Sequence, residues 1–158
     1  MADSNLTTYL NDHIAGSVAA LELLGHLIHL EEADQRLLDD LHTEIQEDQQ
    51  VLIRVLRDLG AKQSPARKVA AWLTEKLGQA KLQIDDSGSG DLRALEALEA
   101  VALGIQGKLA LWRALESVRE NVPSLALLDY PRLQARAQNQ FDRVDRLRLQ
   151  VARRALTT

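Results

Sequence analysis

Residues 1–64 contain no proline and only three glycines, and Pro65 is the first proline of the chain. A stretch so free of backbone breakers, with apolar side chains at three- and four-residue spacing, is committed to helix. Tyr9, Leu10, Ile14, Leu21, Leu24, Leu27 and Ile28 trace one stripe and predict a helix to about Leu30, started by a capping side chain within Ser4–Thr7. Leu37, Leu41, Ile45, Leu52, Val55, Leu56 and Leu59 trace a second stripe and predict a helix from about Asp34 to Leu59. Gly60 is the expected left-handed stop, after a last turn holding Arg54 and Arg57. Only a short acidic turn, Glu31 to Asp34, separates the two, so they should form an antiparallel hairpin.

Beyond Gly60 the pattern continues with clearer punctuation. Ser64-Pro65 reads as cap and first helical position of a shorter helix over about 65–81, with Val69, Trp72, Leu73 and Leu77 on one stripe. Residues 85–90 have linker composition and are expected to be a flexible loop, with Asp91 capping the next helix. That helix, to about Glu120, is apolar around most of its circumference between Leu98 and Leu115, which suits a central position. Asn121-Val122-Pro123 breaks it, and Asp129-Tyr130-Pro131 opens a last helix reaching about Ala155. The expected fold is all-α: a single domain over 1–158, an up-down bundle of four long helices plus a shorter connecting helix, with one crossover.

With 158 residues the chain can bury a sizeable core without disulfides, and it has no cysteine. Met1–Asn5 lacks the basic-then-apolar run of a secretory signal, and no apolar run approaches the ~18–20 residues of a membrane span. The expectation is a cytoplasmic protein with no membrane contact. Charge is uneven: residues 1–60 carry 12 acidic and 3 basic side chains, whereas 61–158 carry 11 acidic and 16 basic. The two halves can neutralise each other.

One residue on the first stripe is out of place. At 100° per residue His13 falls about 25° from the centre of the apolar side of its helix, and Ser17 about 15°. On the second helix Asp48 falls about 30° from the buried centre, and a core-facing acid needs a partner. In a hairpin turning near residues 31–32, facing positions sum to roughly 62–64, which puts His13 and Asp48 at the same height. Lys108 at mid-length of the fourth segment and Gln140 on the last helix complete an expected polar layer of His13, Asp48, Lys108, Gln140 and Ser17 across mid-bundle. The layer reads as a buried hydrogen-bonded network with His13 held by Asp48, or alternatively as a metal site formed by His13, Asp48 and Glu44 around a divalent metal or iron.

This organisation resembles the ferritin-like bundles, whose di-metal sites take a Glu from each of two helices and Glu-x-x-His from each of the other two. The pattern is incomplete here: no His stands three residues after Glu44, Glu47 or Asp48, the last helix has no Glu, and Lys108 would bring a positive charge to the metals. The phrase Tyr9-Leu10-Asn11-Asp12-His13-Ile14-Ala15-Gly16, the stretch Glu44–Asp48, the segment Lys68–Leu73 and the phrase from Leu103-Gly104-Ile105-Gln106-Gly107-Lys108 to Leu115 look like an uncharacterised bacterial family of ferritin-like helical proteins. The likeness runs over nearly the whole chain. It implies the fold and a bacterial origin, and carries no activity or functional residues with it.

Other constellations point less far. Glu22, His26 and His29 share a face of the first helix at metal-binding spacing, but it is the outer face. Seven arginines on the last helix invite a nucleic-acid reading, which the absence of stacking aromatics and the acidic hairpin argue against. Gly104 and Gly107 sit mid-helix, where small residues permit close helix approach. No nucleophile–base–acid set is placed by spacing, so catalytic residues are not expected. The expected function is a non-enzymatic binding or structural module without a cofactor, self-associating as a dimer through exposed Trp, Leu or Val on the helix over 65–81 or on the outer side of the fourth segment, with the identity of any small ligand open.

Overall fold

A computed structural model describes residues 4–31, 34–61 and 90–157. Among them are five α-helices and no strand: α1 Asn5–Leu30, α2 Gln35–Asp58, α3 Gly90–Val118, α4 Pro123–Ala126 and α5 Tyr130–Ala155, with a 3-10 turn, Arg119–Asn121, before α4. The helix expected over 65–81 and most of the loop expected at 85–90 lie outside the described residues. The short helix that is described, α4, is instead a corner piece between α3 and α5.

Helix ends follow local chemistry. Ser4 caps α1, its Oγ accepting from the Thr7 N–H at 3.2 Å. Gly60 takes φ +70°, the left-handed stop that closes α2. Asp129 caps α5, accepting from the Arg132 N–H at 3.2 Å. Asp91 departs from expectation, since α3 already begins at Gly90 and the carboxylate lies in its first turn. It favours the positive helix end from there. At the α4 corner the fully buried Tyr130 donates its hydroxyl to the Leu125 carbonyl at 2.9 Å, tying the turn to the core.

The four long helices run up, down, down, up. The short turn makes α1 and α2 antiparallel, and the α4 corner does the same for α3 and α5. Arg154 near the end of α5 pairs with Glu31 after α1 and with Asp91 at the start of α3, so those three ends meet. Consequently α2 and α3 are parallel: α2 ends at one end of the bundle and α3 begins at the other. Leu10, Leu24 and Leu27 of α1, Leu38, Leu41 and Leu56 of α2, Leu98, Val101, Leu111 and Trp112 of α3, and Ala137, Val144 and Val151 of α5 fill the centre. Each buried leucine stabilises by about 1.5–3 kcal/mol, and their number makes apolar packing the main force holding the helices together.

One expectation about α1 needs correction. Its buried face passes through Thr7, Leu10, Asn11, Ile14, Ala15 and Ala19 before reaching Leu24 and Leu27, while Tyr9 is more than one-third exposed. Alanines and Thr7 let neighbours come close on a side that a hydropathy wheel undervalues, so the real core face is rotated away from His13. Averaged over a window, α1 is also long and apolar enough to cross a membrane, although it contains no unbroken apolar run of that length. In this fold it packs against α2 and α3.

Candidate functional site

Asp48 is the centre of the mid-height layer. It is 2% exposed on a helix that is otherwise amphipathic, so its charge has to be met inside the protein. Lys108 of α3 donates to Oδ2 at 2.6 Å, and the Arg136 guanidinium of α5 lies 2.7 Å from Oδ1. The Arg136 contact is an ion pair without an aligned hydrogen bond, because the Arg136 Nη2 also donates to the Glu44 carbonyl at 2.8 Å and its Nη1 to Glu47 at 2.9 Å.

Gln140 knits this centre together. Its side-chain carbonyl accepts from Lys108, and its amide N–H donates to Glu44 at 3.0 Å and, at 3.4 Å, to Asp48. Arg143 closes the far side by donating to Glu44 at 2.5 Å. Three carboxylates and three cations therefore balance across α2, α3 and α5. Burial pushes the Lys108 ammonium below the ordinary lysine value, against the opposing pull of Asp48. Burial acts to raise Glu44, but the hydrogen bonds from Arg143 and Gln140 outweigh it and hold the carboxyl below its usual range.

On the opposite side of Asp48 lies a cavity of about 310 Å³ between α1, α2 and α3. Its floor is apolar, with Ala20, Ile45, Leu52, Ile105 and Leu111, and its polar members are Asp12, His13, Ser17, Asp48, Gln49 and Lys108. Ser17 donates to the Ile14 carbonyl at 2.6 Å and accepts from the Gln49 amide at 2.8 Å, so it is committed. His13 is half-buried, stands edge-on to Tyr9 with ring centroids 4.7 Å apart, and makes no hydrogen bond to a described residue. Burial lowers its pKa from the ordinary imidazole value, with Asp12 opposing.

The structure thus brings Asp48, Lys108 and Gln140 into direct contact, places Ser17 and His13 on the neighbouring cavity wall, and does not join His13 to Asp48. The two residues do share a height. Azimuth decides the outcome, because Asp48 turns toward the cations of α3 and α5, whereas His13 sits on the flank of α1. For the same reason the set of His13, Asp48 and Glu44 is not assembled: both carboxylates are held by cations, and among the described residues no group of three or more potential ligands is placed to hold a metal ion. His26, His29 and Glu22 are exposed.

Arg136, Arg143 and Gln49 do not stand out as individuals in the sequence. A usable signal exists, since Arg136, Gln140 and Arg143 recur at i, i+4 and i+7 on one helix, facing Glu44, Glu47 and Asp48 on another. The glycines also have a different meaning from the one expected. A Cβ at Gly16, Gly104 or Gly107 would meet no described atom within 4 Å, so none permits close approach of another described helix, and all three line the cavity. Comparison with known proteins returned no matching family model, no matching curated protein and no matching solved structure.

Proposed function

We propose that this protein is a non-enzymatic, ferritin-like helical-bundle module that holds a small ligand in the cavity beside its mid-height charge layer. The carrying observation is the contrast in how polar groups are used: every carboxylate of the layer is engaged by a cation, while the adjoining 310 Å³ space is mostly apolar and walled by glycines. That volume lies at the lower end of small-molecule sites. The up-down-down-up order supports the ferritin-like reading of the fold. Self-association as a dimer would bring Leu103, 74% exposed on α3, into the interface. We place the chain in a reducing, cytoplasmic setting on its lack of cysteine.

The test uses benzene as a probe of the cavity in a two-dimensional amide NMR titration. Saturable shifts centred on Gly16, Gly104 and Gly107 are expected; a titration without saturable shifts there rejects the reading. Metal analysis of untagged protein, with and without His13→Ala, addresses the competing metalloprotein. A stoichiometric metal that disappears in the variant would replace the binding-module reading, and none is expected.

A further inference from the structure

The walls of the cavity also define the kind of molecule it fits. Among the described residues, the lining side chains with formal charge are Asp12, Asp48 and Lys108. Asp12 is exposed at the mouth, where water screens it. Asp48 and Lys108 neutralise each other at 2.6 Å, and Arg136 behind them is shared among Asp48, Glu47 and the Glu44 carbonyl. Among the described residues no unmatched charge faces the interior, so an ionic ligand would be desolvated without a counter-ion.

Three polar groups keep unused hydrogen-bonding capacity on that wall, one of them the Gln49 side-chain carbonyl, which no described residue uses. The Lys108 ammonium has three N–H groups, of which Asp48 and Gln140 take two. His13, whose burial favours the neutral imidazole, offers in that form one donor and one acceptor, neither used by a described residue. Apart from Ser17, whose hydroxyl is committed to Ile14 and Gln49, the rest of the described lining is apolar side chains and glycines, and the volume of about 310 Å³ is about twice that of a cavity known to take one benzene ring.

We infer that the cavity recognises an uncharged, two-ring-sized apolar molecule bearing a single hydroxyl, which accepts from Lys108 and donates to His13. A hydroxyl can both accept from an ammonium and donate to a neutral imidazole, whereas a bare hydrocarbon leaves such groups unpaired. The inference rests on the proposal that the cavity is a ligand site and adds the ligand's chemistry to it. Gly16, Gly104 and Gly107 keep the volume open at a cost in helix propensity, which is the pattern expected where function opposes stability.

Four compounds with one ring system isolate the head group: naphthalen-1-ylmethanol, naphthalene, 1-naphthoate and 1-naphthylmethylammonium, each titrated calorimetrically into the full chain at pH 7. The alcohol is expected to bind at least tenfold more tightly than either ion and several-fold more tightly than naphthalene. Gly107→Leu should abolish binding of all four while keeping a cooperative melt near that of wild type, since a Cβ there meets no described atom within 4 Å. His13→Phe should erase the advantage of the alcohol over naphthalene and leave naphthalene binding in place. An ion binding as tightly as the alcohol, or an alcohol advantage that survives His13→Phe, overturns the inference even where benzene binds. If benzene fails to bind as well, the ligand-site reading itself falls.

Discussion

The two sides of Asp48 are built on opposite principles. Toward α5, long charged side chains reach inward and consume one another, so that Glu44, Glu47, Asp48, Lys108, Arg136, Gln140 and Arg143 form one connected set. Toward α1, the same layer ends in a cavity bounded, among the described residues, by glycines and a histidine without a hydrogen-bond partner. A bundle that needed only to be stable would have filled the second side with leucine and alanine. The contrast separates residues that hold the helices together from residues that keep room between them, and each kind responds to mutation with its own sign.

The largest effect should come from removing the shared anion. Asp48→Ala leaves Lys108, only 13% exposed, and Arg136 without the carboxylate they enclose. Breaking such a buried pair costs about 3–5 kcal/mol. Lys108→Met should cost less, about 1–3 kcal/mol, because Asp48 keeps Arg136 and only hydrogen bonds to one charged group are lost. Urea unfolding of the three proteins gives the order directly. If Asp48→Ala shifts the midpoint no further than Lys108→Met, the anion is not the hub and the comparison fails on its charged side.

On the cavity side the sign reverses. Gly104→Ala and Gly107→Ala add a methyl group where no described atom lies within 4 Å, and each should stabilise by about 0.5–1 kcal/mol through helix propensity and a less free unfolded chain. Gly60→Ala provides the internal control. Its open surroundings are the same, but φ is +70°, so alanine there is strained and should destabilise by about 1–2 kcal/mol. Thermal melts of the three variants separate space from conformation, and a loss of stability in Gly107→Ala would mean that the cavity wall is not open.

The same contrast explains what is legible in the sequence. Helices α1, α2, α3 and α5 are readable because periodicity, Gly60, Asp129-Tyr130-Pro131 and Asn121-Val122-Pro123 are local signals that tertiary packing reinforces. Asp48 is readable as an inward acid because α2 has a strong polar–apolar contrast against which it stands out. His13 is harder to place because α1 is apolar nearly all round, so a wheel has little contrast from which to find the buried side, and Thr7, Ala15 and Ala19 do the packing that larger residues seem to claim. Arg136 and Arg143 look like surface charge since long side chains conceal their destination, which their backbone position on α5 does not reveal. An empty space has no residue of its own, and the glycines around it are equally compatible with close contact until distances are known.

The smallest effect, and the sharpest on the cavity side, concerns His13 and pH. Around it stand Tyr9 and Asp12 on its own helix, Asp48 and Gln49 on α2 and Lys108 on α3, and burial prevails over Asp12 in lowering its pKa below the ordinary value of 6.5. The unfolded chain therefore takes up the proton first as pH falls. Stability linked to His13 is whole above the ordinary imidazole value and is lost as pH drops toward and through the lower folded value. At pH 7 His13→Gln should melt close to wild type, and between about pH 6.5 and 5 its stability should fall less steeply. An NMR titration of the His13 ring should give a midpoint below 6.5. A midpoint above it would show that Asp12 or Asp48 outweighs burial, making the cavity wall electrostatically part of the charged side and dissolving the distinction between the two.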